Sequence, residues 1–310
     1  MHSTEAGRGL PRAVPASAYG HLLTIYLVWG GAYLAVKICI SGSAAITVLQ
    51  LQSVRMWCAA LLLGSVALVR TGRIPRPSAR DLGTCALSGL LMWVAGNGLA
   101  TFASRHATSS FIVMALGAIP LWSCLLDLAI TRSVPSRGVM FGLVLGLFGL
   151  FLVVAPTLFG APSAIIEPGY AGLTSVVLIG AGVSWSLGTI VQRPLMRRLP
   201  PEWAASLQML AAALVLTVLA AGEAAPLPGV PDTQQALAFG FLVLFASVIG
   251  LTSYIRVLHA FSPVVASTFA YVNPIIGVLL GRMVLGEELA PVSLLGLAVV
   301  LVSIALVIRN

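Results

Sequence analysis

The sequence predicts an all-α polytopic membrane protein, with ten transmembrane helices arranged as two inverted five-helix repeats. Three observations carry the prediction: a composition too apolar for a water-facing fold, apolar stretches of membrane-spanning length along the whole chain, and landmarks of the first half that return in the second. Of 310 residues, 59% are hydrophobic and only 8% charged, against roughly 25% charged in soluble domains. A crossing helix needs about 20 mostly apolar residues and must satisfy its backbone groups internally. The lipid bilayer is therefore the expected surrounding of most of the chain.

Polar, Pro-rich residues 1–19 read as a flexible cytoplasmic tail. No small-residue cleavage site follows the first apolar run, so that run reads as a retained helix and not a signal peptide. The first five predicted spans fall near His21–Ile40, Ile46–Val69, Leu82–Ser104, Ala107–Thr131 and Gly138–Ala155. The second five fall near Ala171–Gln192, Trp203–Ala221, Gln234–Leu258, Ser262–Met283 and Val292–Ile308. Residues 20–157 form the first repeat and 170–310 the second, joined by the Pro- and Gly-rich outer loop Pro156–Gly169. The 31 Gly and 18 Pro fit packing and kink positions in membrane helices. Gly138, Gly142 and Gly146 in particular give the fifth helix a small-residue stripe for close packing. Cys39, Cys58, Cys85 and Cys124 fall singly in apolar sequence with no His at ligand spacing, so no disulfide, metal site or cofactor is expected.

The net charge of +8 could suggest nucleic acid as a partner, but its distribution points to topology. Most Lys and Arg, including Arg70, Arg73, Arg76, Arg80, Arg193, Arg197, Arg198 and Arg256, fall at one end of the predicted helices. Glu167, Glu223, Asp232, Glu287 and Glu288 fall at the other. The positive-inside rule then places both termini in the cytoplasm, which an even number of spans requires.

The two halves share a nearly constant offset. Trp29 and Trp185 lie 156 apart, as do Lys37 and Arg193; His106-Ala107 and His259-Ala260 lie 153 apart; Pro120 and Pro274 lie 154 apart, as do Gly142-Leu143 and Gly296-Leu297. Five spans per half is an odd number, so the second copy is inverted. Inverted repeats suit transporters, because two related bundles can rock about a site near the midplane.

Trp29-Gly30, Trp185, Pro120, Asn273-Pro274 and Gly286-Glu287-Glu288, in this order and spacing, resemble the two EamA repeats of the drug/metabolite transporter superfamily over roughly residues 20–308. Within it the chain is similar to bacterial ten-helix exporters of amino acids, including aromatic ones. The resemblance implies a multi-pass protein of the bacterial inner membrane. It also implies that the repeats surround a central cavity lined chiefly by helices one, three, four, six, eight and nine, with the fifth and tenth peripheral. The acidic pair has Ser133-Val134 at the corresponding place in the first half, a departure from repeat equivalence.

Candidate substrate-binding residues are Trp29, Tyr33, Trp93, Asn97, Trp185, Tyr271 and Asn273. Trp29, Tyr33 and Lys37 recur every fourth residue and share a helix face, as do Trp93, Asn97 and Thr101, and Trp185 with Thr189. Such faces would give a cavity aromatic walls and a few polar anchors; the competing reading is interfacial aromatics and core packing, with each Thr bonded to its own backbone. Pro120 and Pro274 each remove a helical hydrogen bond. Carbonyls freed near Asn273 and Tyr271 would accept an ammonium group or serve a hinge, or the kink is static.

Lys37 and Arg55 lie in apolar sequence, where each costs about 2.5–3.5 kcal/mol at the bilayer centre. One would hold a substrate carboxylate, or both snorkel outward, the reading preferred for Lys37. Asp127 reads as an interfacial ion-pair partner, and His106 and His259 as echoes of the repeat. With no embedded acid as a coupling site, the expected driving force is the substrate's own gradient.

The expected function is export of neutral or aromatic amino acids and related small metabolites by alternating access. An organic-phosphate or nucleotide-sugar carrier would need more cavity cations than Lys37 and Arg55. An integral-membrane lipid-modifying enzyme would need paired carboxylates or a His–acid set, and Asp81, Glu202 and Glu223 stand singly. No catalytic residue is expected.

Overall fold

A computed structural model describes residues 15–107, 112, 115–132, 134–160, 166–285 and 291–309. Among the described residues, six helices are long and apolar enough to cross a membrane: α1 (Ala16–Ser41), α2 (Val48–Thr71), α3 (Ala79–Ala103), α6 (Ala171–Val191), α7 (Pro201–Gly222) and α8 (Thr233–Ala260). Four further apolar helices complete the order: α4 (Ile119–Thr131), α5 (Arg137–Gly160), α9 (Phe269–Leu285) and α10 (Pro291–Arg309). The protein is an all-helical polytopic membrane protein.

The helix pairing follows the repeat. α2 packs along α7 and α5 along α10, while α1 lies against α8 and α9 just as α6 lies against α3 and α4. Exchanging the halves maps this set onto itself, as a pseudo-two-fold axis requires. The α5–α10 seam depends on glycine: a Cβ on Gly146 would run into Ser303 Oγ and the Tyr271 ring, and Ser303 Oγ donates to Gly142 O at 2.8 Å. Small residues let membrane helices approach this closely.

Several predicted boundaries shift. The first helix begins at Ala16, inside the stretch read as tail, because Pro15 is extended (φ −65°, ψ 141°) and acts as the N-cap. Residues 1–14 lie outside the described residues, as do 161–165 of the predicted joint and Glu287-Glu288. Helix α5 runs through Pro156 to Gly160, so the joint is shorter than its composition suggested. The predicted single spans at the fourth and ninth places are both broken. α4 starts only after a turn at Gly117-Ala118, and α9 follows a short helical turn, Pro263–Ala266, and a break at Ser267-Thr268.

The matched prolines consequently play different parts. Pro120 sits in the first turn of α4, where a missing N–H costs nothing, whereas Pro274 lies inside α9 and removes a bond there.

Two features close the ends. At the end holding Ala16, Glu202 accepts from both Arg70 (2.8 Å) and Arg256 (2.5 Å), Arg198 pairs with Asp81 at 3.1 Å, and Arg193 with Asp127 at 2.9 Å. Asp127 is thus an ion-pair partner, of Arg193. At the other end His106 stacks on Tyr170 with ring centroids 3.8 Å apart and bonds Glu167 Oε2 at 2.7 Å. Glu223 there meets Arg105 at 3.6 Å and accepts from Thr47 Oγ1 at 2.6 Å.

Candidate functional site

Helices α3 and α8 each contain an eight-residue π segment, Leu90–Asn97 and Leu242–Ile249, at corresponding places in the two halves. Wider turns of this kind leave backbone and side-chain groups free to bond outside the helix, and they recur at functional sites. Here Ser247 Oγ donates to Leu242 O, five residues back, at 2.9 Å, and Ala246 O accepts the Trp29 indole N–H at 2.8 Å. Gly250 makes room for that indole, because a Cβ there would collide with Trp29 Nε1.

The repeat-related Trp29 and Trp185 meet edge to face where α1 and α6 approach, with centroids 5.5 Å apart and planes at 89°. Trp93, on the α3 π segment, stands 5.5 Å from Trp185, and Phe269 at the start of α9 stands 4.6 Å from Trp29. Tyr254 completes the cluster 5.2 Å from Trp29, its hydroxyl bonded to Thr189 Oγ1 at 2.8 Å. Each such aromatic pair contributes about 0.5–1.5 kcal/mol beyond its buried area. The five rings form one interlocked plate at the junction of the halves.

A cavity lies against this plate, lined by Trp29, Tyr33, Arg55, Trp93, Asn97, Thr101, Trp185, Phe269 and Asn273 with smaller apolar residues between them. Its volume is about 50 Å³. A water needs roughly 10–15 Å³ by this measure, so the present conformation has room for a few waters. A solute the size of an amino acid requires the plate to open.

The polar wall is built on Arg55, only 2% exposed. Its Nε donates to Ser247 Oγ at 2.9 Å and Nη1 to Asn97 Oδ1 at 3.4 Å, and its guanidinium carbon stands 5.7 Å from the Trp93 ring centroid. Gln52 Nε2 donates to Asn97 Oδ1 and Thr101 Oγ1, each at 2.8 Å. Among the described residues no carboxylate lies within ion-pair distance of Arg55. Asn273 Oδ1 and Trp93 Nε1 are buried without a hydrogen-bond partner.

Of the seven sequence candidates, Trp29, Tyr33, Trp93, Asn97, Trp185 and Asn273 line this one cavity. Tyr271 does not. Residues two apart on a helix face different ways, and Tyr271, beside α5, donates from its hydroxyl to Leu143 O at 3.0 Å and packs with Leu150 and Val300. Lys37 is exposed on α1, whereas Arg55 turns inward. Thr101 and Thr189 do bond their own backbones, at 2.8 and 2.9 Å, yet both also bond a second side chain.

The resemblance named α8 as a lining helix; here α2 reaches the cavity through Arg55, and α8 supports it from behind through Ser247. Gln52, Phe269 and Tyr254 were missed. Only Gln52 carried a sequence signal, standing three residues before Arg55 on the same helix face.

The model of the EamA-like transporter family matches residues 17–155 and again 173–309. The chain is 30% identical over 295 residues to a protein of Escherichia coli strain K12 titled "Uncharacterized inner membrane transporter YedA", covering 93% of this chain and 90% of that one. Its counterpart in E. coli O157:H7 matches equally. A solved structure titled "Crystal structure of protein" superposes with a TM-score of 0.77 at 16% identity, covering 94% of this chain and 98% of its own, a likeness of fold.

Proposed function

Because the chain belongs to the EamA-like transporter family, we propose that this membrane transporter is an inner-membrane exporter that moves neutral and aromatic amino acids by alternating access between its two halves. The inner membrane is where the E. coli relatives are placed by title. The arginine-rich end that holds Ala16 supports cytoplasmic termini.

The observation that carries the reading is the composition of the cavity at the junction of the repeats. Trp29, Trp93, Trp185 and Phe269 offer ring faces and edges to an apolar side chain, while Asn273 Oδ1 is a buried acceptor with no partner, suited to an ammonium group. Pro274 adds to this acceptor region, since it supplies no N–H to the carbonyl four residues back. The repeat-related Trp29 and Trp185 contact each other, so rocking of one half against the other parts the plate and changes the cavity directly.

Among the described residues lining the cavity there is one cation, Arg55, and no carboxylate. The single cation fits a zwitterion better than a phosphorylated solute or a nucleotide-sugar. The lack of an acid fits flux down the substrate's own gradient. Family membership sets aside a lipid-modifying activity.

The test is counterflow in proteoliposomes preloaded with each unlabelled amino acid in turn, with and without a proton gradient. Saturable exchange of labelled phenylalanine, tryptophan or leucine above protein-free vesicles is expected, insensitive to the gradient. Absence of exchange for every amino acid overturns the reading.

A further inference from the structure

Arg55 is the eighth residue of α2 (Val48–Thr71), and Gln208 is the eighth residue of α7 (Pro201–Gly222). The two helices are repeat counterparts that pack along each other. Each carries a serine two residues earlier that bonds across the pair: Ser206 Oγ donates to Ala60 O at 2.8 Å, and Ser53 Oγ bonds Thr217 Oγ1 at 2.8 Å. Gln208, like Arg55, is buried, and its Nε2 donates to Gln192 Oε1 at 3.0 Å. The molecule thus holds a neutral amide in one half and a full positive charge at the equivalent place in the other. The charge is therefore a feature of one half and not of the repeat.

A buried cation without a counter-charge is costly to keep. Arg55 has five N–H donors in a planar fork; Ser247 and Asn97 take two, and the rest have no partner among the described residues. The fork borders the cavity over the ring of Trp93, whose N–H is itself unpartnered. Free donors around an uncompensated positive charge make a receptor for a planar anion, which such a fork binds through two parallel bonds. Asn273 Oδ1, the unpartnered acceptor in the same cavity, then meets a positive or donor group on the same solute.

Resting on the transport reading above, we infer that Arg55 is the carboxylate station of the cavity and its specificity determinant: solutes need a carboxylate to load, and amine cations that lack one are rejected. The solute's carboxylate supplies the missing counter-charge, so loading relieves the cost of the buried guanidinium. A carboxylate-free amine would add a second positive charge beside it. The asymmetry with Gln208 restricts this station to one half.

The decisive comparison uses the wild-type protein in proteoliposomes, with phenylalanine, its decarboxylated analogue phenethylamine, its deaminated analogue 3-phenylpropionate and phenyl phosphate as competitors of phenylalanine counterflow. Phenylalanine is expected to compete best, 3-phenylpropionate measurably, and phenethylamine about 10- to 100-fold more weakly than phenylalanine. Arg55→Gln should raise the half-saturating phenylalanine concentration by a similar factor and erase the preference over phenethylamine. Arg55→Lys should recover part of it, and Lys37→Gln should change nothing.

Equal competition by phenethylamine in the wild type overturns the inference even if the Arg55 variants fail to fold. Stronger competition by phenyl phosphate than by phenylalanine overturns it in favour of a phosphate station. If no amino acid exchanges at all, the transport reading falls; if phenylalanine exchanges with affinity indifferent to Arg55→Gln, only this inference falls.

Discussion

Replacing Gly250 by Ala puts a methyl group where the Trp29 indole now lies, close enough to Nε1 and Cε2 that one of them must move. Both atoms belong to a rigid ring held on three sides by Trp185, Tyr254 and Phe269, so the strain has no flexible chain end to relax into. Overpacking of this kind costs about 1–3 kcal/mol, and displacement of the indole also breaks its 2.8 Å bond to Ala246 O, for roughly 0.5–1.5 kcal/mol more. Trp29→Phe alone gives up that bond and some buried area, but it removes the very atoms the new methyl meets.

The double variant should therefore be less destabilised than the sum of the two single variants, by about 1 kcal/mol or more. Thermal unfolding in detergent micelles, monitored by near-ultraviolet circular dichroism, gives the stability cycle. Phenylalanine counterflow reports whether the plate still parts. Strict additivity, or a Gly250→Ala protein as stable as the wild type, would refute the packing described here for Trp29.

Gly146→Val should destabilise the α5–α10 seam by about 1–3 kcal/mol while leaving substrate affinity of the folded fraction unchanged, as measured by binding after size-exclusion recovery. The two arginines on Glu202 should differ. Arg70 has a side chain 59% exposed, so Arg70→Gln should cost under about 1 kcal/mol, while loss of the more buried Arg256 (31%) should cost about 1.5–3 kcal/mol; similar melting shifts for both would count against the assignment. Tyr271→Phe removes only the bond to Leu143 O, so it should lower stability by about 0.5–1.5 kcal/mol and leave counterflow affinity unchanged; a changed affinity would return Tyr271 to the cavity.

Helix number, order and the doubling of the chain were legible because they rest on hydrophobic length and on landmark offsets, which survive divergence. The cavity was partly legible: residues four apart on α1 and α3 share a face, so Trp29 with Tyr33 and Trp93 with Asn97 could be paired without coordinates. Tyr271 stands outside the cavity lining although it is near Asn273 in sequence, because residues two apart on a helix face different ways. The inward turn of Arg55 depends on Ser247 and Asn97 waiting for it, and that is long-range information. The π segments left no trace in composition, since a wider turn is made by hydrogen-bond choice and not by residue type.

Among the described residues, the turn ahead of α4 has continuous helix at its counterpart in α9. At the repeat offset, the turn at Gly117-Ala118 corresponds to Tyr271-Val272, one helical turn along from the actual break at Ser267-Thr268. Two copies of one design are therefore held in two different shapes within a single molecule. If the halves trade shapes as they rock, the break before α9 advances a turn toward Pro274. One copy then already displays, at that place, the shape the other would take on.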